Sequence, residues 1–360
     1  MKIAFILPSL LNRGPIIFTK YLSNALIDLG IEVSVFYFRS VDVDCRASFN
    51  CETQKIGFFD SDCFTGFDVI HTTMLKPDLY GAFHTKKFKG KVVSSLHNEL
   101  VEDLRFNYNP IMALLLSKLW SFALSRINNK IFSSHAQCTY YKNIIKVDNE
   151  RSSIIPYGIR ITQAKMEKEN YQFEQLEILR SKYTVLGSCG MLIKRKGFEQ
   201  IIQLLKTNQD MCFFLIGDGP ELESLRTLAF DLEVSDRVVF LGFQDDHLKY
   251  YRLFDIYVHA SYSEGFGLAM LEALALGLPL VCSDLPIYND NFDSHNVSLF
   301  IAGDQEDLAI AVRRSASDLL NFSEKSLALF SQYFSADAMA ERHIEFYKRM
   351  LNAAEGVAVR

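Results

Sequence analysis

The sequence lacks the features that mark several special classes of protein. Its seven cysteines are an odd number with no C-x-x-C pair, so neither a disulfide framework nor a zinc ribbon is expected. Proline is scarce, at eight of 360 residues, and no apolar run approaches the ~18 residues of a membrane-spanning helix. We therefore expect a reduced, cytoplasmic, globular protein of two domains, at roughly 150 residues per domain.

The chain also lacks an overall excess of positive charge. Its net charge is −5, and this value argues against a nucleic-acid partner. The charge is nevertheless uneven. Residues 1–155 hold 18 Lys and Arg against 14 Asp and Glu, a balance of +4, and residues 156–360 hold 20 against 29, a balance of −9. The basic residues of the first half concentrate in residues 86–91, here called the lysine turn.

An apolar segment with the only tryptophan follows the lysine turn. Residues 111–126 have the composition of a helix and contain Trp120. Basic residues near such a helix are typical of a surface that contacts anionic lipid, at about 1 kcal/mol per Lys or Arg. The sequence thus raises the hypothesis of peripheral contact at the inner face of the cell membrane through the N-terminal domain. The alternative, a core helix after a solvated lysine turn, stays open.

Short apolar runs alternate with helical patterns in both halves, as in a parallel sheet with crossover helices. We predict two doubly wound, Rossmann-like domains facing a central cleft, residues 1–157 and residues 158–334. We predict a C-terminal helix in residues 335–360, and packing on either domain, including back on the N-terminal one, stays open. The predicted strands cover residues 2–7, 32–37, 69–71, 91–96, 130–132, 184–189, 212–217, 238–241, 256–260 and 279–283.

The most informative segment, residues 261–279, follows a predicted strand and enters a helix near Gly267 or Leu268. A glycine-bearing turn at a helix start lets backbone N–H groups approach an anion, so this turn predicts a phosphate site. Glu264 and Glu272 flank it, eight residues apart. At ~1.5 Å per helical residue they are too far apart to share a proton, which favours hydroxyl binding at two ends of a ligand over paired acid–base catalysis.

Two further strand–turn–helix units precede this segment. In the first, Lys194, Arg195 and Lys196 stand just before a helix, where positive charge is unfavourable unless an anion binds there. Taken alone, this segment fits a solvated basic turn equally well. In the second, Gly217 and Gly219 form a turn, and Pro220 suits the first position of the following helix. This unit is not a dinucleotide-binding fingerprint, because the third glycine is missing.

Together these segments resemble the retaining nucleotide-sugar glycosyltransferases of family 4, which have the two-domain GT-B fold. The resemblance covers most of the chain and is strongest in the E-x7-E pair, Glu264 and Glu272. Four other segments support it in order, at residues 155–159, 190–197, 217–220 and 236–242.

The resemblance implies roles for the residues that match. Glu264 is implied to hold the hydroxyls of the donor sugar, and Glu272 those of the ribose. Lys196 is implied to neutralise the diphosphate, with backbone groups of Gly265, Phe266, Gly267 and Leu268 contacting sugar and phosphate. The loops at residues 217–222 and 242–246 would frame the base.

The resemblance also extends into the N-terminal domain. His97 stands where the family places a histidine that reaches the transferred sugar, in a polar cluster after a predicted strand. We expect Glu264, His97 and Lys196 to be catalytic, Gly14 and Arg195 to help bind the donor, and Asn12, Arg13, Asn98 and His71 to line the acceptor side.

The sequence departs from the family in three places. Met191 stands where an Arg usually assists Lys196, so either Arg195 supplies that charge or diphosphate binding is weaker. Asn12-Arg13-Gly14 replaces a Gly-Gly pair, with Gly14 keeping the close approach of the backbone. Tyr157 replaces the usual Asn of the interdomain loop.

We therefore expect transfer of a hexose-type sugar from a nucleotide diphosphate sugar to a glycan or lipid-linked hydroxyl, with retained configuration, in bacterial surface-polysaccharide synthesis. No cofactor and no metal are expected, and the D-x-D pairs at residues 42–44 and 60–62 are predicted to be surface loops. Two alternatives stay open: a soluble sugar-phosphate acceptor, and a catalytically silent subunit that binds the nucleotide sugar. The base, the sugar, the linkage and the oligomeric state are not determined by the sequence.

Overall fold

The computed structural model describes residues 1–12, 14–42, 45–161 and 171–355, and the chain divides into two compact units. Unit 1 comprises Met1–Arg160 and Tyr333–Arg360, and unit 2 comprises Ile161–Gln332. The expected domain boundaries at 157/158 and 334/335 lie beside these limits.

Unit 1 contains a seven-stranded sheet in the order β3-β2-β1-β4-β5-β6-β7, and all of its strand pairs are parallel. The first strand pairs with both the second and the fourth, so the strand order reverses at β1. In doubly wound sheets the ligand crevice opens at such a reversal, outside the carboxyl ends of the strands. The strands are β1 (Lys2–Ser9), β2 (Glu32–Arg39), β3 (Thr53–Lys55), β4 (Val69–Thr73), β5 (Lys91–Ser95), β6 (Asn129–Phe132) and β7 (Ser152–Ile154).

Helices cover the sheet of unit 1, and its central strands are buried, as a parallel sheet with two covered faces requires. The C-terminal helix belongs to this unit and packs against the first helix. Ser335 begins the C-terminal helix by accepting a hydrogen bond from the Ala338 N–H (3.2 Å). The helices are α1 (Gly14–Asp28), α2 (Leu75–His84), α3 (Leu100–Asn107), α4 (Pro110–Arg126), α5 (His135–Lys142) and, at the end of the chain, α13 (Ala336–Glu355).

Unit 2 contains a six-stranded parallel sheet in the order β10-β9-β8-β11-β12-β13. Here β8 pairs with both β9 and β11, so the order reverses between β8 and β11. The loops that follow these two strands therefore lie side by side. The strands are β8 (Thr184–Cys189), β9 (Met211–Ile216), β10 (Val238–Gly242), β11 (Ile256–His259), β12 (Leu280–Ser283) and β13 (Ser298–Phe300).

Crossover helices complete unit 2, and the six residues of β9 are all buried among them. Both units thus confirm the predicted Rossmann-like parallel-sheet architecture. The helices of this unit are α6 (Tyr171–Arg180), α7 (Phe198–Thr207), α8 (Leu222–Asp231), α9 (Leu248–Tyr251), α10 (Leu268–Ala275), α11 (Gln305–Ser317) and α12 (Leu319–Leu329).

The strand prediction was incomplete at the sheet edges. It missed β3, β7 and β13, which have three residues each, too few to show a periodic pattern. The placement of Pro220 at the first helical position was also wrong, because α8 begins at Leu222.

Within the described residues, no helix combines the length and apolar character that crossing a bilayer would require.

Candidate functional site

A buried carboxylate with several basic neighbours lies where the loops after β8 and β11 meet. The Glu264 side chain is only 5% exposed and contacts the Lys196 ammonium through Oε1. Arg195 Nη1 lies 3.6 Å from the other carboxylate oxygen. The strand order explains the meeting, since Lys196 follows β8, Glu264 follows β11, and these strands are neighbours.

Two uncharged groups complete the surroundings of Glu264. Ser261 Oγ donates a hydrogen bond to Oε1 (2.8 Å), and His259 Nε2 lies 3.5 Å from the same oxygen. The Tyr288 hydroxyl donates to the Phe266 carbonyl (2.9 Å), so its oxygen accepts from His259 Nε2 (3.1 Å). This network assigns the proton of His259 to Nε2, on the side of Glu264.

The electrostatics of the cluster keep Glu264 ionised. Burial raises its pKa, but the charges of Lys196 and Arg195 outweigh burial and hold the pKa at about 2. Burial lowers the pKa of His259 to about 4, so this imidazole is neutral at pH 7. The cluster is thus a carboxylate between two cations, with a neutral hydrogen-bond donor behind it.

Two glycines make this approach possible. Gly197 has a φ of 65°, and a Cβ there would lie 2.1 Å from the Ala260 carbonyl oxygen. Gly267 has a φ of 92°, and a Cβ there would crowd the His259 ring at 3.2 Å. Since L side chains rarely adopt these φ values, glycine at both positions lets the two loops pass against the end of β11.

The backbone groups that the sequence predicts to contact sugar and phosphate lie at the start of α10. Gly265 follows Glu264, the buried Phe266 is held through its carbonyl by Tyr288, and Gly267 precedes Leu268, the first residue of α10. This order places a helix N-terminus beside the Lys196–Glu264 pair, as the sequence predicts for a phosphate site.

The loops at Gly217 and Gly219 pack against the loop after β8. A Cβ at Gly217 would lie 1.9 Å from the Gly190 carbonyl oxygen, and one at Gly219 would lie 2.5 Å from the Leu192 carbonyl oxygen.

The side chain of Met191, which stands at the position of the family's usual Arg, is 64% exposed. Arg195 donates to the Ser263 carbonyl (3.0 Å), which fixes its guanidinium beside Glu264.

Glu272 has partners of its own on α9. His247 Nε2 lies 2.8 Å from Glu272 Oε2, and the Tyr251 hydroxyl lies 3.1 Å from the same oxygen. The hydrogen bond to Glu272 raises the pKa of His247 although burial opposes it. The two glutamates therefore belong to separate hydrogen-bond networks, and their binding of hydroxyls at two ends of a ligand stays a prediction.

The His247–Glu272 pair predicts a pH-dependent stability. The pKa of His247 is higher in the folded protein than its value of about 6.5 in an unfolded chain. The stabilisation is therefore complete below about pH 6.5 and is lost as the pH rises through the folded pKa. We expect His247→Gln to remove about 1 kcal/mol at pH 6 and much less at pH 9, measured by urea unfolding. An equal loss at both values would contradict this assignment.

In unit 1, His97 follows β5 and is buried. Its Nδ1 makes a short contact with the Tyr157 hydroxyl, and its Nε2 has no hydrogen-bond partner among the residues that the structure describes. Burial lowers the pKa of His97 to about 3, so the ring is neutral. Tyr157, the residue that departs from the family pattern, thus orients the predicted catalytic histidine.

His343 of α13 lies near His97, and both rings contact Phe18. Its Nδ1 must donate to the Met339 carbonyl (2.8 Å), because a carbonyl only accepts. Its Nε2 is buried and has no partner in the described part of the chain. His71, in contrast, has both nitrogens bonded, to Tyr347 (2.6 Å) and Ser95 (2.7 Å).

The remaining predicted residues of unit 1 are more dispersed. Asn98 donates to Asp103 (3.1 Å), and Asn12 is exposed after β1. A Cβ at Gly14 would meet no atom of the described residues within 4 Å, so none of them requires glycine there. Arg13 lies outside the described residues.

In the described parts of the chain, no three His, Cys, Asp or Glu side chains come together as a metal-binding group would. Of the D-x-D pairs, Asp60 accepts a hydrogen bond from the Gly57 N–H (2.7 Å), and Asp44 lies outside the described residues.

Sequence reasoning missed several residues of these networks: His247, His259, Ser261, Tyr288 and His343. His259, inside a predicted strand that ends at Ala260, and Ser261, three residues before Glu264, carried a usable signal. His247, Tyr288 and His343 reach the networks from helices or turns distant in sequence, which no local pattern reports.

Comparison with known proteins identifies the type of domain in unit 2. Residues 170–325 match the family model described as glycosyl transferases group 1. The O-antigen biosynthesis glycosyltransferase WclY of Escherichia coli is 26% identical over 355 residues, which cover 97% of this chain and 99% of WclY. The alpha-monoglucosyldiacylglycerol synthase of Streptococcus pneumoniae (strain ATCC BAA-255 / R6) is 27% identical over 298 residues, covering 78% of this chain and 66% of the synthase.

Solved structures show the same fold. HepE of Anabaena in complex with UDP has a TM-score of 0.77 at 18% identity, covering 96% of this chain and 99% of HepE. Residues 170–325 thus resemble a glycosyltransferase group 1 domain, and the fold is that of the GT-B glycosyltransferases. The comparisons together support glycosyltransferase activity.

Proposed function

We propose that the protein is a retaining, metal-independent hexosyltransferase that uses a nucleotide diphosphate sugar. The observation that carries the proposal is the pairing of Lys196 and Arg195 with the buried, ionised Glu264 at the start of α10. HepE, which shares the fold, has been solved with UDP and with UDP-glucose.

The donor fits this cluster by charge. The diphosphate would lie against Lys196, Arg195 and the backbone N–H groups that begin α10, because these groups are already oriented toward a negative charge. Two cations and a helix N-terminus supply the positive charge for which other transferases use a metal. The Glu264 carboxylate, an acceptor only, would hold sugar hydroxyls.

The proposed chemistry needs no side-chain nucleophile. The acceptor hydroxyl attacks the face of the sugar from which the phosphate departs, the sugar–phosphate bond breaks, and the leaving phosphate takes the acceptor proton. His97 is neutral, so it would contribute a hydrogen bond through Nε2 to the transferred sugar.

This role makes Tyr157 a positioning residue for His97. We expect Tyr157→Phe to lower kcat roughly tenfold with little change in the donor KM, because the imidazole loses its orienting contact and donor-binding groups are untouched. Steady-state kinetics measure both constants.

The matched control is Tyr80→Phe, which removes a buried phenol that donates to the Asp60 carbonyl, away from the predicted site residues. Both substitutions delete a buried hydrogen bond and should lower stability similarly, by about 1 kcal/mol. A kcat loss shared equally by the two variants would show that the Tyr157 effect is structural.

The acceptor is proposed from the relatives. WclY is named for O-antigen biosynthesis, so we propose a glycan or lipid-linked acceptor in bacterial surface-polysaccharide or lipopolysaccharide synthesis, at the cytoplasmic side of the membrane.

The test combines donor binding and turnover. Calorimetry against UDP, GDP, ADP and their sugars identifies the donor, and NMR of the product reports whether the anomeric configuration is retained. Transfer to a soluble sugar phosphate alone would favour the alternative acceptor. Tight donor binding without hydrolysis or transfer would favour the silent subunit, for which the exposed Met191 in place of an Arg is the supporting feature.

Membrane contact is proposed through α4. One face of this helix is buried through Ala113, Ser117, Trp120 and Leu124. Trp120 Nε1 donates to the buried Asp78 (2.8 Å), which pins the helix to unit 1. The opposite face, here called the apolar face of α4, is exposed at Ile111, Met112, Leu114, Leu115, Leu119 and Phe122.

The exposed cations of α4 indicate which kind of surface the apolar face of α4 contacts. Lys118 and Arg126 lie on the exposed side of the helix, and the lysine turn adds further positive charge in unit 1. An apolar helix face with Lys and Arg suits an anionic lipid surface, whereas a protein core would exclude these charges.

We expect the variant Ile111→Ser/Leu115→Ser/Phe122→Ser to bind vesicles of phosphatidylcholine and phosphatidylglycerol at least about 100-fold more weakly, because each side chain loses over 1 kcal/mol of burial. Flotation or surface plasmon resonance measures the binding.

The control replaces three exposed apolar residues of unit 2: Phe230→Ser, Ile310→Ser and Leu320→Ser. It should bind vesicles as wild type does. Equal binding by all three proteins would remove the membrane proposal and leave the transfer proposal untouched.

A further inference from the structure

A basic pocket lies at the edge of unit 1 opposite the predicted site. It is a cavity of about 250 Å³ where the turns that lead into β5, β6 and β7 meet α13. These turns stand at the amino ends of the strands, whereas His97 stands after a carboxyl end. The lining includes Lys89, Lys91, Arg126, Arg151, Arg349 and Glu150.

The charge of this pocket is not balanced by the protein. It presents five cationic side chains and one carboxylate. Arg151 has a partner in Asp148 (3.5 Å), and Arg349 donates to the Ser152 carbonyl (3.0 Å). Within the described residues, Lys89, Lys91 and Arg126 have no carboxylate within 4.0 Å.

The pocket is built on rigid backbone. The Lys91 N–H donates to the Asp68 carbonyl (2.8 Å), and a Cβ at Gly90 would lie 2.3 Å from the Phe67 carbonyl oxygen, so the turn is pressed against its neighbour. The Asn129 side chain donates to the Val92 carbonyl (2.9 Å), which ties the β6 turn to β5. The cations therefore project from fixed positions on separate segments.

We propose that this pocket binds a phosphate ester. Donors dominate its lining, and cations approach from several segments, which suits the tetrahedrally arranged oxygens of phosphate better than the two coplanar oxygens of a carboxylate. The volume fits a small headgroup rather than a nucleotide sugar.

Two sources share this chemistry: a soluble phosphate ester and the headgroup of a phospholipid. Arg126 belongs both to the pocket and to the exposed side of α4, so a headgroup here would fix the helix on a lipid surface. The site does not depend on the proposed transfer reaction, because none of its residues belongs to the candidate active site.

The test uses the full chain and the variant Lys89→Ala/Lys91→Ala/Arg126→Ala. The control, Lys55→Ala/Lys142→Ala/Lys146→Ala, removes the same charge from exposed positions of unit 1 outside the cavity, the lysine turn and α4. Binding of glycerol 3-phosphate is measured by calorimetry, and binding of phosphatidylcholine vesicles with and without phosphatidic acid by flotation. The single variant Arg126→Ala and thermal unfolding exclude a folding defect.

We expect the pocket variant to bind at least about tenfold more weakly than the control in one or both assays. Loss in the glycerol 3-phosphate assay identifies a soluble ester, and loss confined to vesicles identifies a headgroup. Equal affinity of the pocket variant and the control in both assays would overturn the proposal. The proposal would also be overturned if the wild-type protein bound malonate, a dicarboxylate, as tightly as glycerol 3-phosphate. Transfer to a soluble acceptor should persist in the pocket variant, so failure here is distinguishable from failure of the proposed function.

Discussion

Glu264→Gln is expected to lower kcat/KM for sugar transfer at least about 100-fold, because the amide keeps the size of the side chain and loses the charge that accepts donor hydroxyls. The pKa of Glu264 is about 2, so the carboxylate is ionised throughout the range above about pH 4. An acid limb of the activity profile near neutral pH must therefore come from another group. Donor hydrolysis and transfer assays measure the effect.

Glu199→Gln is the matched control for this substitution. Glu199, the second residue of α7, follows the same loop and accepts a hydrogen bond from Tyr262 (2.8 Å), but within the described residues it forms no ion pair with Lys196 or Arg195. Its replacement should leave turnover within about twofold. Wild-type turnover in Glu264→Gln would refute the proposed donor site, whatever the acceptor is.

Lys196→Met is expected to abolish measurable donor binding and to lower the free energy of unfolding by about 3 kcal/mol. The loss of stability follows because Glu264 is 5% exposed and would keep its burial without its nearest cation. Calorimetry with the nucleotide diphosphate and urea unfolding at pH 7 measure the two effects.

The double variant Lys196→Met/Glu264→Gln separates the effect on donor binding from the effect on stability. With both charges removed, stability should recover toward the wild-type value, whereas donor binding should not. If Lys196→Met unfolded at the same midpoint urea concentration as the wild-type protein, the Lys196–Glu264 pair would contribute no stability.

The pH dependence gives a further check on the same pair. The folded pKa of Glu264 lies below its unfolded value of about 4.3, so its stabilisation is present above that value and is lost as the pH falls toward 2. This loss should be smaller in Lys196→Met, because burial then opposes ionisation.

The sequence predicted the repeated core of the fold well. Strands such as β8 and β9 carry continuous apolar runs, and glycines mark the turns after them, so their position follows from local pattern. The edge strands β3, β7 and β13 escaped prediction because three residues carry no period. The glycine turns and the E-x7-E pair likewise marked the candidate donor site.

The partners of the site residues could not be predicted. His247 reaches Glu272 from α9, and Tyr288 reaches His259 from a turn after β12, across 25 and 29 residues of sequence. The consequence of Tyr157 was equally hidden, since its contact with His97 spans 60 residues.

By itself, the amino-acid sequence determined two parallel-sheet domains, the turns that could receive an anion, and the surplus of positive charge in the first half. Only the tertiary structure decided that Lys196 pairs with Glu264, that α4 leaves an apolar face uncovered, and that basic side chains of four segments surround one pocket. The physical reason is that periodicity and turn chemistry are local, whereas strand order brings together loops that are distant in the chain, and the charges they carry then fix each other's ionisation.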